Sequence, residues 1–196
     1  MLKTNIKFKN FFIKKKNSNI KKKLKLVLNE RNQIIKSLSK NYKDSFCKKN
    51  IKHFNKKFDY RIIGMGGSTL GAQAIYDFLK KKIKKDFIFI DNLSVFKNKK
   101  TKKNFNNLII SKSGNTVETI VNVNILVKKE DKNLFITEKK DSYLSLLAKK
   151  LKAEIVDHNN YIGGRYSVLS EVGMLPAELM GLNYKNFRQL NNLVKN

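Results

Sequence analysis

Three short stretches concentrate residues able to hold an anion. Ser111-Lys112-Ser113-Gly114-Asn115-Thr116 gathers three hydroxyls, an ammonium and an amide around one glycine, directly after the apolar run Leu108-Ile109-Ile110. A strand that runs through such a loop into a helix presents unsatisfied N–H groups at the positive end of the helix dipole, and the hydroxyls add donors. A phosphate fits that description. Gly64-Met65-Gly66-Gly67-Ser68-Thr69-Leu70-Gly71 is a second loop of this kind, following Arg61-Ile62-Ile63. Alone, it serves equally as a phosphate cradle or as a tight turn in which glycine only permits close packing. A dinucleotide fingerprint would need glycine where Thr69 stands, and no Gly-Lys-Ser/Thr follows at Walker spacing. Asp91 does end the next apolar run, where a ribose-binding acid would be expected, so a nicotinamide enzyme stays open as a weaker alternative. The third stretch, Gly163-Gly164-Arg165-Tyr166-Ser167-Val168-Leu169-Ser170-Glu171-Val172-Gly173-Met174-Leu175-Pro176, sets a single arginine among glycines and hydroxyls.

Alternating elements must position these loops. Strands are expected at Phe58–Gly64, Phe87–Asp91, Leu108–Ser111, Leu134–Thr137 and Glu154–Val156. Helices are expected from about Leu70 to Lys81, from Thr116 onward, and over Tyr143–Leu151. In the first, Leu70, Ala74, Ile75, Phe78 and Leu79 form one apolar face. The second carries Val117, Ile120, Val121, Val123, Ile125 and Val127, whose β-branched types leave helix and strand open on period alone. Strands alternating with helices imply right-handed crossovers and an α/β fold, a doubly wound parallel sheet of the flavodoxin or Rossmann kind. Ligands of such sheets sit beyond the carboxyl ends of the strands, where both loops fall. Ahead of the sheet, residues 1–20 read as a loose arm, Ile20–Leu38 as a helix and Ser45–Phe54 as a second short one. Cys47 and His53 lie in this layer without a partner motif, and a structural role suits both.

The formal charge of +28 raises a nucleic-acid reading, which the residue types weaken. The basic residues are almost all lysine; the arginines are Arg31, Arg61, Arg165 and Arg188. Base-edge readout recruits arginine, and single-strand platforms interleave aromatics with basic grooves. Neither pattern stands out, so a solvated lysine-rich surface is the expectation, without a specific nucleic-acid partner. The single cysteine fits a reducing compartment, and no apolar run reaches membrane-span length. A soluble, cytoplasmic protein without a membrane partner is therefore expected.

The third stretch also carries a resemblance. Gly163-Gly164-Arg165-Tyr166-Ser167 followed by Val172-Gly173-Met174-Leu175-Pro176 resembles the signature of the glucose-6-phosphate isomerase family. Two further matches precede it in order. Gly64–Gly71 resembles that family's first glycine loop, with Ala72 in place of the usual proline, and Ser111–Thr119 resembles its phosphate loop. The similarity runs from about residue 58 to 181.

The resemblance implies interconversion of glucose 6-phosphate and fructose 6-phosphate through a cis-enediolate, in glycolysis and gluconeogenesis, on sugar-isomerase (SIS) domains and without a metal or cofactor. It implies that Ser111, Ser113 and Thr116 hold the phosphate, with Lys112, Gly114 and Asn115 completing the loop. Gly67, Ser68 and Gly164 would contact the substrate, and Arg165 would stabilise the charge of the intermediate. Glu118 would order the loop from the first turn of its helix. In this family the base is a later glutamate, accompanied by a ring-opening histidine and a C-terminal lysine, and all three would lie beyond Asn196. Glu171 and Glu178 follow the signature too closely to serve, and His53 and His158 do not match the histidine's position. The expected organisation is thus a basic helical segment over residues 1–57, an SIS-like unit over 58–160, and a signature loop and helix over 161–196 that lead toward an absent second domain. Exposed apolar residues in Val168–Leu182 would seek that domain or a partner, and a homodimer is expected from resemblance. The alternative of a different class is a non-catalytic phosphosugar-binding or regulatory module.

Overall fold

A computed structural model describes residues 18–30, 32–39, 41–49, 51–54, 59–93 and 104–190. Five parallel strands form one sheet: β1 (Tyr60–Gly64), β2 (Phe87–Ile90), β3 (Asn106–Ile110), β4 (Lys132–Thr137) and β5 (Glu154–Asp157), in the order β2-β1-β3-β4-β5. The chain therefore leaves β1 toward one edge and returns to the other side of it, so a topological switch point falls between β1 and β3. Because side chains alternate across a strand, each strand feeds two cores. Ile62, Leu108, Leu134 and Ile136 pack on one face with α3 (Leu70–Leu79) and α6 (Glu171–Leu179). Ile63, Ile109 and Phe135 pack on the other with α4 (Val117–Leu126) and α5 (Tyr143–Lys150). Each of these fully buried side chains contributes roughly 1.5–3 kcal/mol by leaving water.

Several elements differ from expectation. α3 turns Ala72, Ile75 and Tyr76 inward, while Leu70 and Phe78 are 57% and 88% exposed. The positions 72, 75, 76 and 79 make the better helical stripe, and it becomes legible only once a small alanine and an amphipathic tyrosine count as core. α4 is a helix, as a parallel crossover demands, and buries Thr119, Asn122 and Val123 while Val117 and Ile125 face outward. The expected helix over Ile20–Leu38 is two, α1 (Ser18–Asn29) and α2 (Gln33–Ser37). The second starts where Asn32 Oδ1 accepts the N–H of Ile34 at 2.8 Å. Among the described residues of Ser45–Phe54 a 3-10 turn forms, at Lys52–Phe54; Phe46 and Ile51 reach the core from irregular chain and Phe54 from that turn. The expected arm lies mostly outside the described residues.

The largest correction concerns the stretch after the signature. Val172, Met174, Leu175, Ala177, Leu179 and Met180 are buried in the first core, so only Val168 of the apolar residues in 168–182 is substantially exposed. The apolar residues of α6 pack in the first core with the strands, α3 and Phe46, Ile51 and Phe54 of the N-terminal segment. Among the described residues no helix is long and apolar enough to cross a membrane.

At the amino ends of the strands a polar network replaces apolar packing. Asp131 Oδ2 accepts from Arg61 at 3.0 Å, from the Asn107 amide at 3.0 Å and from the Lys128 N–H at 3.1 Å, while Oδ1 accepts the Phe105 N–H. Arg61 Nε donates to Asn107 Oδ1 and Nη2 to the Leu126 carbonyl, and its guanidinium lies 4.1 Å from the centre of the Phe105 ring. Burial pulls the Arg61 guanidinium below its ordinary value and the Asp131 carboxylate opposes that shift. Removing one partner leaves a charge buried and uncompensated. Asp131→Ala is expected to destabilise the fold by about 3–5 kcal/mol, read from urea unfolding. An unchanged midpoint would show that the network contributes nothing.

Candidate functional site

Gly64 and Ile110 are partners in the register of β1 and β3, so the loops that follow them emerge side by side at the switch point. After β1 the chain makes a 3-10 turn over Gly66–Ser68, with Gly66 at φ +55°, and Thr69 opens α3. After β3 it makes a turn in which Gly114, at φ +67°, donates to Ser111 O and Oγ, and Thr116 opens α4. A side chain on Gly114 would put its Cβ 2.1 Å from Ser142 Oγ, so the turn is closed by the start of α5 as well as by its own conformation.

The hydroxyls converge. Ser111 Oγ and Thr116 Oγ1 are 3.0 Å apart, Ser113 Oγ lies 3.5 Å from Thr116 Oγ1, and the Asn115 N–H donates to Ser113 Oγ at 3.2 Å. Lys112 and Asn115 point elsewhere. Lys112 Nζ donates to the Asn160 carbonyl at 2.6 Å and lies 3.6 Å from Glu138, and Asn115 Oδ1 accepts the Tyr143 N–H at 2.9 Å. These two residues brace the loop against β4, α5 and the chain after β5. Glu118 stands in the first turn of α4, as expected of an acid at the positive end of a helix.

The helix starts differ in a way that bears on ligands. α5 is closed by a capping box between Ser142 and Ser145, and α6 by Ser170, whose side chain accepts the Val172 N–H. Thr69 and Thr116, by contrast, make no side-chain cap on α3 or α4. Thr69 Oγ1 turns back to the Gly66 carbonyl, and Thr116 Oγ1 to Ser111. First-turn N–H groups at the two helices flanking the switch point thus remain available to an anion.

The signature segment closes the third side. Gly164–Leu169 forms a 3-10 helix laid against the first loop. A Cβ on Gly67 would lie 2.1 Å from the Gly164 carbonyl oxygen, and one on Gly71 would lie 2.8 Å from the Val168 side chain. Ser167 Oγ reaches both the Gly67 carbonyl, at 3.2 Å, and the Gly164 carbonyl, at 2.7 Å. Gly67, Ser68, Gly164 and Arg165 are therefore brought together, next to the loop of Ser111, Ser113 and Thr116. Arg165 is exposed and makes no hydrogen bond or ion pair with the described residues. Concave surfaces occur beside Lys140 and Asp157 and between Tyr42 and Tyr184. Asp91, just after β2, accepts from the Asn92 side-chain amide and from no other of the described residues.

The acids and the histidine near the signature are engaged elsewhere. Glu171 is fully buried and accepts from Tyr42 OH and the Asn159 N–H, Glu178 pairs with Lys48 at 2.9 Å, and His158 is buried with Nδ1 3.1 Å from the Asn159 carbonyl. Tyr42, Asp44, Asn159 and Arg188 join this surrounding without any local motif.

Two outcomes follow from this geometry. Gly67→Ala is expected to cost about 1–3 kcal/mol in thermal unfolding, because the Gly164 carbonyl must move. Gly164→Ala, whose Cβ would meet nothing within 4 Å, should stay within about 0.5 kcal/mol. Equal effects would show that the two loops are not in this contact. Burial raises the Glu138 carboxyl, but Lys140 and then Lys112 outweigh it, and the folded value lies below the ordinary 4.5. Its stabilisation is therefore present above pH 4.5 and lost as pH falls through the lower folded value. Glu138→Gln should flatten that part of an acid unfolding profile and leave the rest unchanged.

Comparison with known proteins gives the family and the fold. The family model described as phosphoglucose isomerase matches residues 12–194. A glucose-6-phosphate isomerase of Acholeplasma laidlawii is 36% identical over 146 residues, covering 62% of this chain and 33% of that protein. The chain spans about a third of the length of the curated relatives it matches. Among solved structures, a hypothetical protein of Thermus thermophilus superposes with a TM-score of 0.69 at 19% identity, over 90% of this chain and 46% of that one. A tagatose-6-phosphate ketose/aldose isomerase of Escherichia coli gives 0.54 at 14% identity, over 74% of this chain and 45% of that one.

Proposed function

The chain belongs to the phosphoglucose isomerase family, and from that premise we propose that it forms the sugar-phosphate-binding part of an enzyme interconverting glucose 6-phosphate and fructose 6-phosphate. The reading is carried by the two helix starts, α3 and α4, left uncapped on either side of the switch point. The substrate phosphate lies at the N-terminus of α4, among the hydroxyls of Ser111, Ser113 and Thr116, with Gly114 giving the turn its shape. Lys112 and Asn115 hold that loop in place. The sugar extends across Gly67 and Ser68 toward Gly164 and Arg165. During proton transfer between C1 and C2, negative charge builds on the oxygens of the enediolate. The unpaired guanidinium of Arg165 stabilises it as a permanent, planar cation.

The base that moves the proton is not assigned within this chain. Glu171 and Glu178 are occupied by Tyr42, Asn159 and Lys48, and His158 is enclosed. Base, ring-opening group and a second sugar-isomerase domain come, on this reading, from additional sequence or from a second chain, in a cytoplasmic homodimer serving glycolysis and gluconeogenesis. A second reading, a phosphosugar-binding module that does not turn over, draws support from one observation. The phosphate loop is braced by Asn160, Tyr143 and Ser142 of this same chain.

The deciding measurement is a coupled assay of the 196-residue chain for fructose 6-phosphate conversion, with binding of the same ligand followed in parallel. Binding without turnover is the expected result, and turnover would place the base inside this chain. Absence of binding would overturn both readings. In an active assembly, Arg165→Ala should lower kcat by about 100-fold and change KM much less, as loss of a group acting on the transition state requires.

A further inference from the structure

Arg165 sits on an excursion that leaves β5 at Asp157 and rejoins regular structure at Glu171. Its side chain has no partner among the described residues, so its position is set entirely by what holds this backbone. The crest is seated on Gly67. The two feet are held by residues that neither the motifs nor the proposed chemistry has used.

At the first foot, the Asn159 N–H donates to Glu171 Oε1 at 3.1 Å, and Tyr42 OH donates to Glu171 Oε2 at 2.9 Å. The Asn159 side-chain amide donates to the same Tyr42 oxygen at 2.6 Å, so each member of the ring has a partner of the correct kind. Glu171 is fully buried and has no cationic partner among the described residues. Such a carboxylate is costly, and an apolar residue would fill the space at no such cost. It is made tenable by two hydrogen bonds and by its place in the first turn of α6. Burial foremost, and then the Glu171 charge, push the Tyr42 phenol far above its ordinary value, which keeps it a donor.

At the second foot, the Leu169 carbonyl accepts from Arg188 Nε at 3.1 Å and again from Nη2. The same guanidinium grips Asp44 with both nitrogens, at 2.9 and 2.6 Å, and the two side chains are 4% and 5% exposed. It also lies 4.9 Å from the centre of the Tyr42 ring, which joins the two feet.

We propose that Tyr42 and Glu171, backed by Asp44 and Arg188, are positioning residues that latch the Arg165-bearing segment onto the carboxyl edge of the sheet. The latch stands on this geometry alone; its effect on sugar recognition rests on the isomerase reading. The phosphate loop is braced on the start of α5 through Gly114 and Asn115, and it meets the latched segment where the Lys112 ammonium donates to the Asn160 carbonyl. Loosening the latch leaves the bracing on α5 in place and so separates recognition of the sugar from recognition of the phosphate.

The test uses the 196-residue chain, Tyr42→Phe and Glu171→Gln. Amide hydrogen exchange is read without ligand, and binding is titrated with inorganic phosphate and with glucose 6-phosphate. Tyr42→Phe removes one hydroxyl and keeps the ring, so it guards against a Glu171 variant that fails to fold. Exchange at Asn159, Ile162 and Tyr166 is expected to quicken about tenfold, the effect of losing one such hydrogen bond, with β3 unchanged. Affinity for glucose 6-phosphate should fall about tenfold in both variants, and affinity for phosphate should stay within about twofold. Exchange that is unchanged at these amides, or that rises equally throughout the chain, overturns the latch. A loosened segment with unaltered glucose 6-phosphate affinity overturns its positioning role. Wild-type protein that binds neither ligand overturns the isomerase reading instead, and the exchange data still judge the latch.

Discussion

Everything at the carboxyl edge of the sheet depends on how closely two loops can approach. The Gly164 carbonyl occupies the space that any side chain at residue 67 would need, and Val168 occupies the space beside Gly71. Interiors at native density do not yield to an extra methyl, so glycine at these positions is a steric condition rather than a matter of flexibility. With the condition met, an arginine-bearing segment lies on the first loop, and that loop stands next to the hydroxyl-rich loop after β3 because β1 and β3 are neighbours. Strand order brings the second pair together and van der Waals contact the first. The candidate site lies where the two coincide.

Much of this was legible in residues 58–181. Short runs of β-branched and aromatic residues marked all five strands in order, because strands of a parallel sheet have few other ways to be written. The three loops that form the site were legible for a related reason: glycine and hydroxyl at fixed offsets are local requirements of local turns. What was misread depended on distant partners. The inward face of α3 was missed because Tyr76 finds its place only against Phe87 and Phe89, with ring centres 5.5 and 5.7 Å away. The chain just after Asp44 reads as helical, but Phe46, Ile51 and Phe54 there pack in the core with α6, more than a hundred residues away. The apolar residues after the signature read as surface, since nothing near them in sequence tells that the N-terminal segment returns to cover them.

The basic residues divide by type in a way that net charge conceals. Lysine is spread across the surface, consistent with its strongly hydrated point charge. Of the arginines, Arg61 is buried in the network at the amino end of the sheet, and Arg188 is buried against Asp44 at the opposite side of the first core. Arg165 alone of these three faces solvent. A planar guanidinium can satisfy several acceptors at once and loses less on dehydration than an ammonium does. The sequence thus keeps arginine where geometry is exacting, and the +28 charge says more about lysine usage than about a polyanionic partner.

The pairing of Asp44 with Arg188 spans 144 residues and has a temporal side. A chain made from its amino end has the whole sheet in hand before Arg188 exists. At roughly 5–20 residues per second, the segment around Asp44 waits on the order of ten seconds on the ribosome without its partner. During that interval Phe46, Ile51 and Phe54 have no α6 to pack against and stay open to other contacts. The turn that carries Arg188 thus closes on a segment made long before it, and the Arg165 segment between them gains its second foot only once Arg188 is made.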